Sequence, residues 1–157
     1  RCIVRAMPNT PAQIGLGITG WTATEDVTDA QKEKARIILG SMGKEIYFAD
    51  EGALDMVTAV SGSGPAYVFL FAEALTIGAE KLGLSPEDAR ELVLRTLLGA
   101  AHLLETSGKS ASELRHNVTS KGGTTERALQ TLELGGFSTL VDDAVKAAYD
   151  RARELGR

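Results

Sequence analysis

The chain has 157 residues, 43% hydrophobic and 24% charged, enough to form a real core and a length that fits one domain or one domain with part of another. Its net charge of −4, with both signs mixed along the sequence, offers no basic stripe to a phosphate backbone or an anionic membrane, so nucleic acid is not an expected partner. The single cysteine, Cys2, excludes an internal disulfide; with no signal-peptide pattern at the start, a reducing cytosol is the expected compartment and Cys2 an expected core residue.

In chain order, Cys2 to Met7 is a short apolar run without an initiator methionine before it, which reads as a fragment opening inside a strand. Gly15 to Thr24 is rich in β-formers, Thr28 to Met42 has helical spacing, and Lys44 to Phe48 is another strand candidate. Strand, strand, helix, strand is the tail of an α/β unit. Within it, Gly15-Leu-Gly17-Ile-Thr-Gly20 has the spacing of a dinucleotide fingerprint. That fingerprint needs a helix directly after the turn, and here a β-like run continues, so it is set aside.

From Ala53 nothing reads as strand. Helix starts are expected at Ser63-Gly-Pro65, Ser85-Pro-Glu87, Ser110, Thr124 and Ser138, and stops at Gly83, Gly108, Gly135 and Gly136. The boundary falls near residues 50–56, dividing an α/β part, 1–52, from a helical part, 53–157. Val57 to Ala79 carries one charge, Glu73, over a length that could span a bilayer. Gly62, Gly64 and Pro65 interrupt it, and basic flanks and aromatic belts are missing, so a buried helix is expected instead. A chain this small can hardly surround such a helix, which implies a second copy as its cover.

The segment richest in chemistry is Leu114-Arg-His-Asn-Val-Thr-Ser-Lys-Gly-Gly-Thr-Thr-Glu-Arg-Ala-Leu129. Gly122 and Gly123 allow a tight turn, Thr124 or Thr125 is expected to cap the following helix, and free N–H groups at its start can hold a carboxylate or phosphate. By its residues alone this is either a cap and turn or an anion site. The two histidines, His102 and His116, have no partner at metal-ligand spacing, so no metal site is expected; His102 reads as structural and His116 as a surface residue.

Taken whole, this segment resembles the signature of pyrroline-5-carboxylate reductases, approximately L-x-x-x-V-[ST]-S-P-G-G-[TA]-T-x-x-A-L. Two further segments stand in that family's order and spacing, Arg5-Ala-Met-Pro-Asn-Thr-Pro-Ala12 and Val60-Ser-Gly-Ser-Gly-Pro-Ala-Tyr67, so the resemblance covers the whole chain. One departure is Lys121, where the family usually has proline; a fixed backbone angle is exchanged for a mobile charge.

The resemblance implies a mixed fold, a short α/β remnant of a Rossmann-type domain followed by an all-α helical dimerisation domain. It implies reduction of the cyclic imine of 1-pyrroline-5-carboxylate to proline with NADPH or NADH, in a homodimer or higher oligomer. Ser120, Gly122, Gly123, Thr124 and Thr125 would bind the substrate carboxylate, and Thr125 would place its hydroxyl near the ring nitrogen as the catalytic group. Met7, Pro8 and Asn9, with Ser61, Gly62, Ser63, Gly64 and Pro65, would face the nicotinamide. For Asn9 an Asn-Thr-Pro turn held by its own side chain stands beside that role. The loop that would hold the cofactor pyrophosphate is not in this chain, so the segment alone is expected to be inactive. The alternatives are a non-catalytic oligomerisation module and a related reductase of another small carboxylic acid.

Overall fold

The computed structural model describes residues 1–156. It divides into two compact units, Arg1–Tyr67 together with the segment from Asp142 onward, and Val68–Val141. The first unit thus reaches past residue 52 to Tyr67 and takes in part of the last helix, whereas sequence composition changes near 50–56.

The first unit holds a three-stranded sheet in the order β1 (Val4–Met7), β2 (Gly17–Ala23), β3 (Gly43–Tyr47). β1 runs antiparallel to β2, with Met7 opposite Gly20. β2 and β3 are parallel, with Trp21 opposite Tyr47, and the connection between them carries α1 (Asp29–Gly40). A 3-10 turn over Thr10–Ile14, absent from the sequence expectation, follows β1. α1 starts where a capping box forms: Gln31 N–H donates to the Thr28 hydroxyl at 3.3 Å and Thr28 N–H to the Gln31 carbonyl oxygen at 2.9 Å.

The core of this unit is built on Trp21, fully buried, with Val27, Leu39, Ala53, Leu54 and Ala59. The Trp21 indole N–H donates to the Glu45 carboxylate, and its ring meets Tyr47 edge-on at 4.8 Å. Glu45 is also 3.4 Å from the Arg36 guanidinium, so the carboxylate that serves the buried indole is itself neutralised. Cys2 is exposed rather than in the core: it lies at the open start of the chain, and its thiol donates to the Asp26 carbonyl at 3.2 Å.

After β3 the chain becomes helical at once. α2 (Ala53–Val57) runs into a π-helical turn over Thr58–Gly62, and α3 (Gly64–Lys81) follows after Ser63. The glycines and Pro65 therefore do not begin a helix at residue 63; they widen one that began at Ala53. Pro65 sits in the first turn of α3, where a missing N–H costs nothing.

The second unit contains most of α3, then α4 (Pro86–Thr106), α5 (Ala111–Asn117), α6 (Thr124–Leu134) and the start of α7 (Phe137–Leu155). Ser85 and Ser110 cap α4 and α5 as their positions predict, through bonds from Asp88 N–H and Glu113 N–H. α7 starts at Phe137, one residue before Ser138. α3 has no buried residue, and Phe69 and Leu70 are 67% and 66% exposed. Among the described residues of the second unit only Ala89 is buried. Full burial of a Leu or Phe side chain contributes about 1.5–3 kcal/mol, so these helices present an apolar surface whose burial this chain by itself does not provide. Ala53–Lys81 is also long and apolar enough to cross a membrane, and the 18-residue stretch that makes it so has no buried residue.

Candidate functional site

The expected site residues fall into two groups, one in each unit. In the first, β1 ends at Met7 and the chain turns at Pro8 and Asn9. The Asn9 side chain does not stabilise its own turn; its carbonyl oxygen accepts from Ile18 N–H at 3.0 Å, across to β2. The turn is held by the backbone, with Ala12 N–H donating to the Asn9 carbonyl at 3.1 Å. Among the described residues nothing accepts from the side-chain NH2 of Asn9.

The π-helical turn is brought against this corner by two close approaches. A Cβ at Gly20 would lie 2.7 Å from a methyl of Val57, and a Cβ at Gly62 would lie 2.6 Å from the Met7 methyl. Gly62 is therefore small because Met7 packs on it, and that contact joins two of the motifs singled out in the sequence. The extra residue of a π turn reorients the side chains that follow it. Ser61 returns its hydroxyl to the Val57 carbonyl at 3.1 Å, while Tyr67 donates to the Ala59 carbonyl at 3.0 Å and ties α3 to the turn. Ser61, Gly62, Ser63, Gly64 and Pro65 are all half-buried. The donors here are the Asn9 amide and the Ser63 hydroxyl, with no cation among the expected residues, a set suited to an uncharged amide.

The second group is the loop before α6. Gly123 is the N-cap, with no side-chain cap, so neither Thr124 nor Thr125 caps the helix; they occupy its first two positions. Gly122 takes φ 73°, a left-handed conformation that glycine adopts without strain. Gly123 has ordinary angles but no room, since a Cβ there would run into the Ser120 hydroxyl. Gly123 N–H donates to the Ser120 carbonyl at 3.0 Å, and the next bond back from the helix is Arg127 N–H to the Gly123 carbonyl at 3.2 Å. Between them the N–H groups of Thr124, Thr125 and Glu126 find no acceptor among the described residues, as expected at a helix start. The Thr124 and Thr125 hydroxyls are unengaged too. Four helical threonines, Thr58, Thr76, Thr106 and Thr131, turn back on the carbonyl four residues earlier, and Thr119 does the same just past α5, at 2.6–3.1 Å. In the first turn of α6 that helical carbonyl does not exist, so the hydroxyls stay available.

One residue of the loop escaped the sequence reading. Glu126 accepts from Gly122 N–H at 2.7 Å. Its signal was present: an acid three positions past the N-cap is capping-box spacing. Glu126 also lines an open cleft of about 720 Å³ with residues of α5 and α6, among them Arg115, His116, Gln130 and Glu133. Arg115 stands 4.0 Å from Glu133, and His116 is exposed in this cleft. The free donors of Thr124 and Thr125 do not line it. Three N–H groups and two hydroxyls at a positive helix end can together hold a small carboxylate.

Residues 51–155 match the family described as pyrroline-5-carboxylate reductase dimerisation. A pyrroline-5-carboxylate reductase from Pseudomonas aeruginosa is 48% identical over 155 residues, which are 99% of this chain and 57% of that protein. The pea (Pisum sativum) pyrroline-5-carboxylate reductase is 41% identical over 152 residues, 97% of this chain and 55% of its own length. Among solved structures, a pyrroline-5-carboxylate reductase from Coxiella burnetii superposes with a TM-score of 0.94 at 46% identity, over 98% of this chain and 57% of that one. The Plasmodium falciparum pyrroline carboxylate reductase, solved with NADP bound, gives 0.94 at 36% identity, over 100% of this chain and 60% of its own. The chain thus spans somewhat more than half the length of the proteins it matches.

Proposed function

Because the chain belongs to the pyrroline-5-carboxylate reductase family, we propose that it is the substrate-binding and dimer-forming part of an oxidoreductase that reduces the cyclic imine of 1-pyrroline-5-carboxylate to L-proline. The observation that supports this most is the loop before α6, where three N–H groups and the Thr124 and Thr125 hydroxyls have no partner among the described residues. A small substrate bearing one carboxylate uses such a set well, since each donor bonds to the charged form.

In this reading Ser120, Gly122 and Gly123 shape the loop, and the N–H groups of Thr124 and Thr125 take the carboxylate. With the carboxylate fixed, the ring can turn its nitrogen toward the Thr125 hydroxyl. A threonine hydroxyl is a weak acid, so Thr125 orients the imine and passes a proton from water to the nitrogen rather than acting as a strong acid. NADPH or NADH, when bound, supplies the hydride that adds to the imine carbon. Met7, Pro8 and Asn9, with Ser61, Gly62, Ser63, Gly64 and Pro65, would hold its nicotinamide end; the free NH2 of Asn9 suits the carboxamide of that ring. Rate acceleration then comes mainly from holding two reactants in register.

The second reading is an oligomerisation module with no catalysis of its own, favoured by the exposed apolar side chains of α3. The test that separates them is imine reduction followed by loss of NADPH absorbance, using this chain alone and joined to a cofactor-binding domain. Turnover by the joined protein alone supports a substrate-binding part that needs its cofactor domain. No turnover by either, from a protein that dimerises, supports the module.

A further inference from the structure

We propose that Glu126 is a positioning residue that holds the Gly122–Thr125 loop in its ligand-ready shape before substrate arrives. The inference rests on reading this loop as the carboxylate site. The bond from Gly122 N–H to the Glu126 carboxylate, at 2.7 Å, is charge-assisted and closes the left-handed turn onto the first turn of α6. Gly123 N–H is already committed to the Ser120 carbonyl. The loop's donors are therefore sorted: Gly122 and Gly123 spend theirs inside the protein and fix the backbone, while Thr124, Thr125 and Glu126 keep theirs for a ligand.

Glu126 brings a drawback with this bond. Its carboxylate belongs to the same first turn of α6 as the donors that would receive a second carboxylate, and like charges repel. The position is tolerated because the third residue of a helix lies in the positive field of its N-terminus. The useful part of the side chain is then its acceptor oxygen, and the charge is an opposing effect. Glutamine separates the two, because it keeps the oxygen at the same reach without the charge.

The experiment is titration of the chain with L-proline and with L-prolinamide, followed by the backbone amide resonances of Thr124 and Thr125. The unsubstituted chain is expected to bind L-proline in preference to the amide. Glu126→Ala is expected to weaken L-proline binding about tenfold and to speed solvent exchange at Gly122 N–H, the consequence of losing one charge-assisted bond. Glu126→Gln is expected to restore binding to within about twofold of the original, or to tighten it, with Gly122 protected again. Unchanged binding in Glu126→Ala would overturn the inference, as would Glu126→Gln binding as weakly as the alanine variant. If Glu126→Ala loses helix content, the glutamine variant decides, and loss of binding there overturns the inference. Failure of the unsubstituted chain to prefer L-proline would instead remove the reading of the loop as a carboxylate site, and this role with it.

Discussion

Thr125 and its neighbour Thr124 differ from Thr58, Thr76, Thr106 and Thr131 because of one missing carbonyl. At the second helical position nothing four residues earlier belongs to the helix, so the hydroxyl has no internal acceptor while its β-branched frame stays fixed by the first turn. Thr125→Val keeps that frame and removes only the oxygen. Stability is expected to change by less than about 0.5 kcal/mol, because no bond inside the protein is lost. Turnover of the imine by the protein joined to a cofactor-binding domain is expected to fall by about 10²-fold, the lower end of what a positioned proton carrier supplies. Steady-state rates beside a thermal melt check both, and unchanged turnover would remove Thr125 from the mechanism. Gly122 is open to a different argument. A Cβ there meets nothing within 4 Å, so Gly122→Ala is costly only through φ 73°, by about 1–2 kcal/mol. A melt of that variant against Gly123→Ala separates strain at residue 122 from collision with Ser120 at residue 123.

At the same scale, the loop's glycines and threonines were legible from their types and spacing, and the structure assigns them differently in one respect. Glycine and threonine both make good N-caps, so in Gly-Gly-Thr-Thr either can end up outside the helix. The choice of Gly123 moved both hydroxyls from capping to availability. For Asn9 the alternative of a turn held by its own side chain fails for a related reason: that side chain can serve its own turn or a strand brought alongside, and only the pairing of Met7 with Gly20 shows that the Ile18 N–H is within reach.

Elements were most legible where the start signal was local. The Ser110 cap predicts α5 because its partner, Glu113, is three residues away. The π turn was not legible, because Ser61, Gly62, Ser63, Gly64 and Pro65 are all residues that punctuate helices in isolation. Contact with Gly20 and Met7, far off in sequence, carries the helix through them. The α5 cap carries a pH dependence. The Ser110 hydroxyl, and after it the Ser110 N–H, bond to the Glu113 carboxylate and lower its pKa below the ordinary carboxylate range. A carboxyl depressed in the folded state stabilises the fold at pH values above its unfolded pKa, and that contribution is lost as the pH falls through the folded one. Amide protection in the first turn of α5 is therefore expected to hold from neutral pH down to the ordinary carboxylate range and to fade below it. Ser110→Ala should move the Glu113 carboxyl resonance titration up toward the ordinary value, with the backbone N–H bond of residue 110 holding back the remainder.

For the molecule as a whole, the decisive quantity is apolar surface left in water. The first unit hides its tryptophan completely, whereas Leu82 and Leu134 in the second are about nine-tenths exposed. A core of one alanine does not hold α3 to α6 as an ordered unit against the entropy of ordering them. Either another protein surface or a lipid phase must take up α3, and the match of residues 51–155 to a dimerisation family favours protein. Stable dimers bury about 1,200–2,000 Å² in total, an area that a few helices of this length can supply. Sedimentation equilibrium of the chain in plain buffer is expected to give a dimer that persists at micromolar concentration. Leu70→Asp, at a site 66% exposed in one copy, should leave the secondary structure of the sheet unit intact while releasing monomers, because it puts a carboxylate into the face a partner covers. A folded monomer from the unsubstituted chain would mean that these helices tolerate exposure by themselves. A chain soluble only with detergent would return Ala53–Lys81 to the membrane.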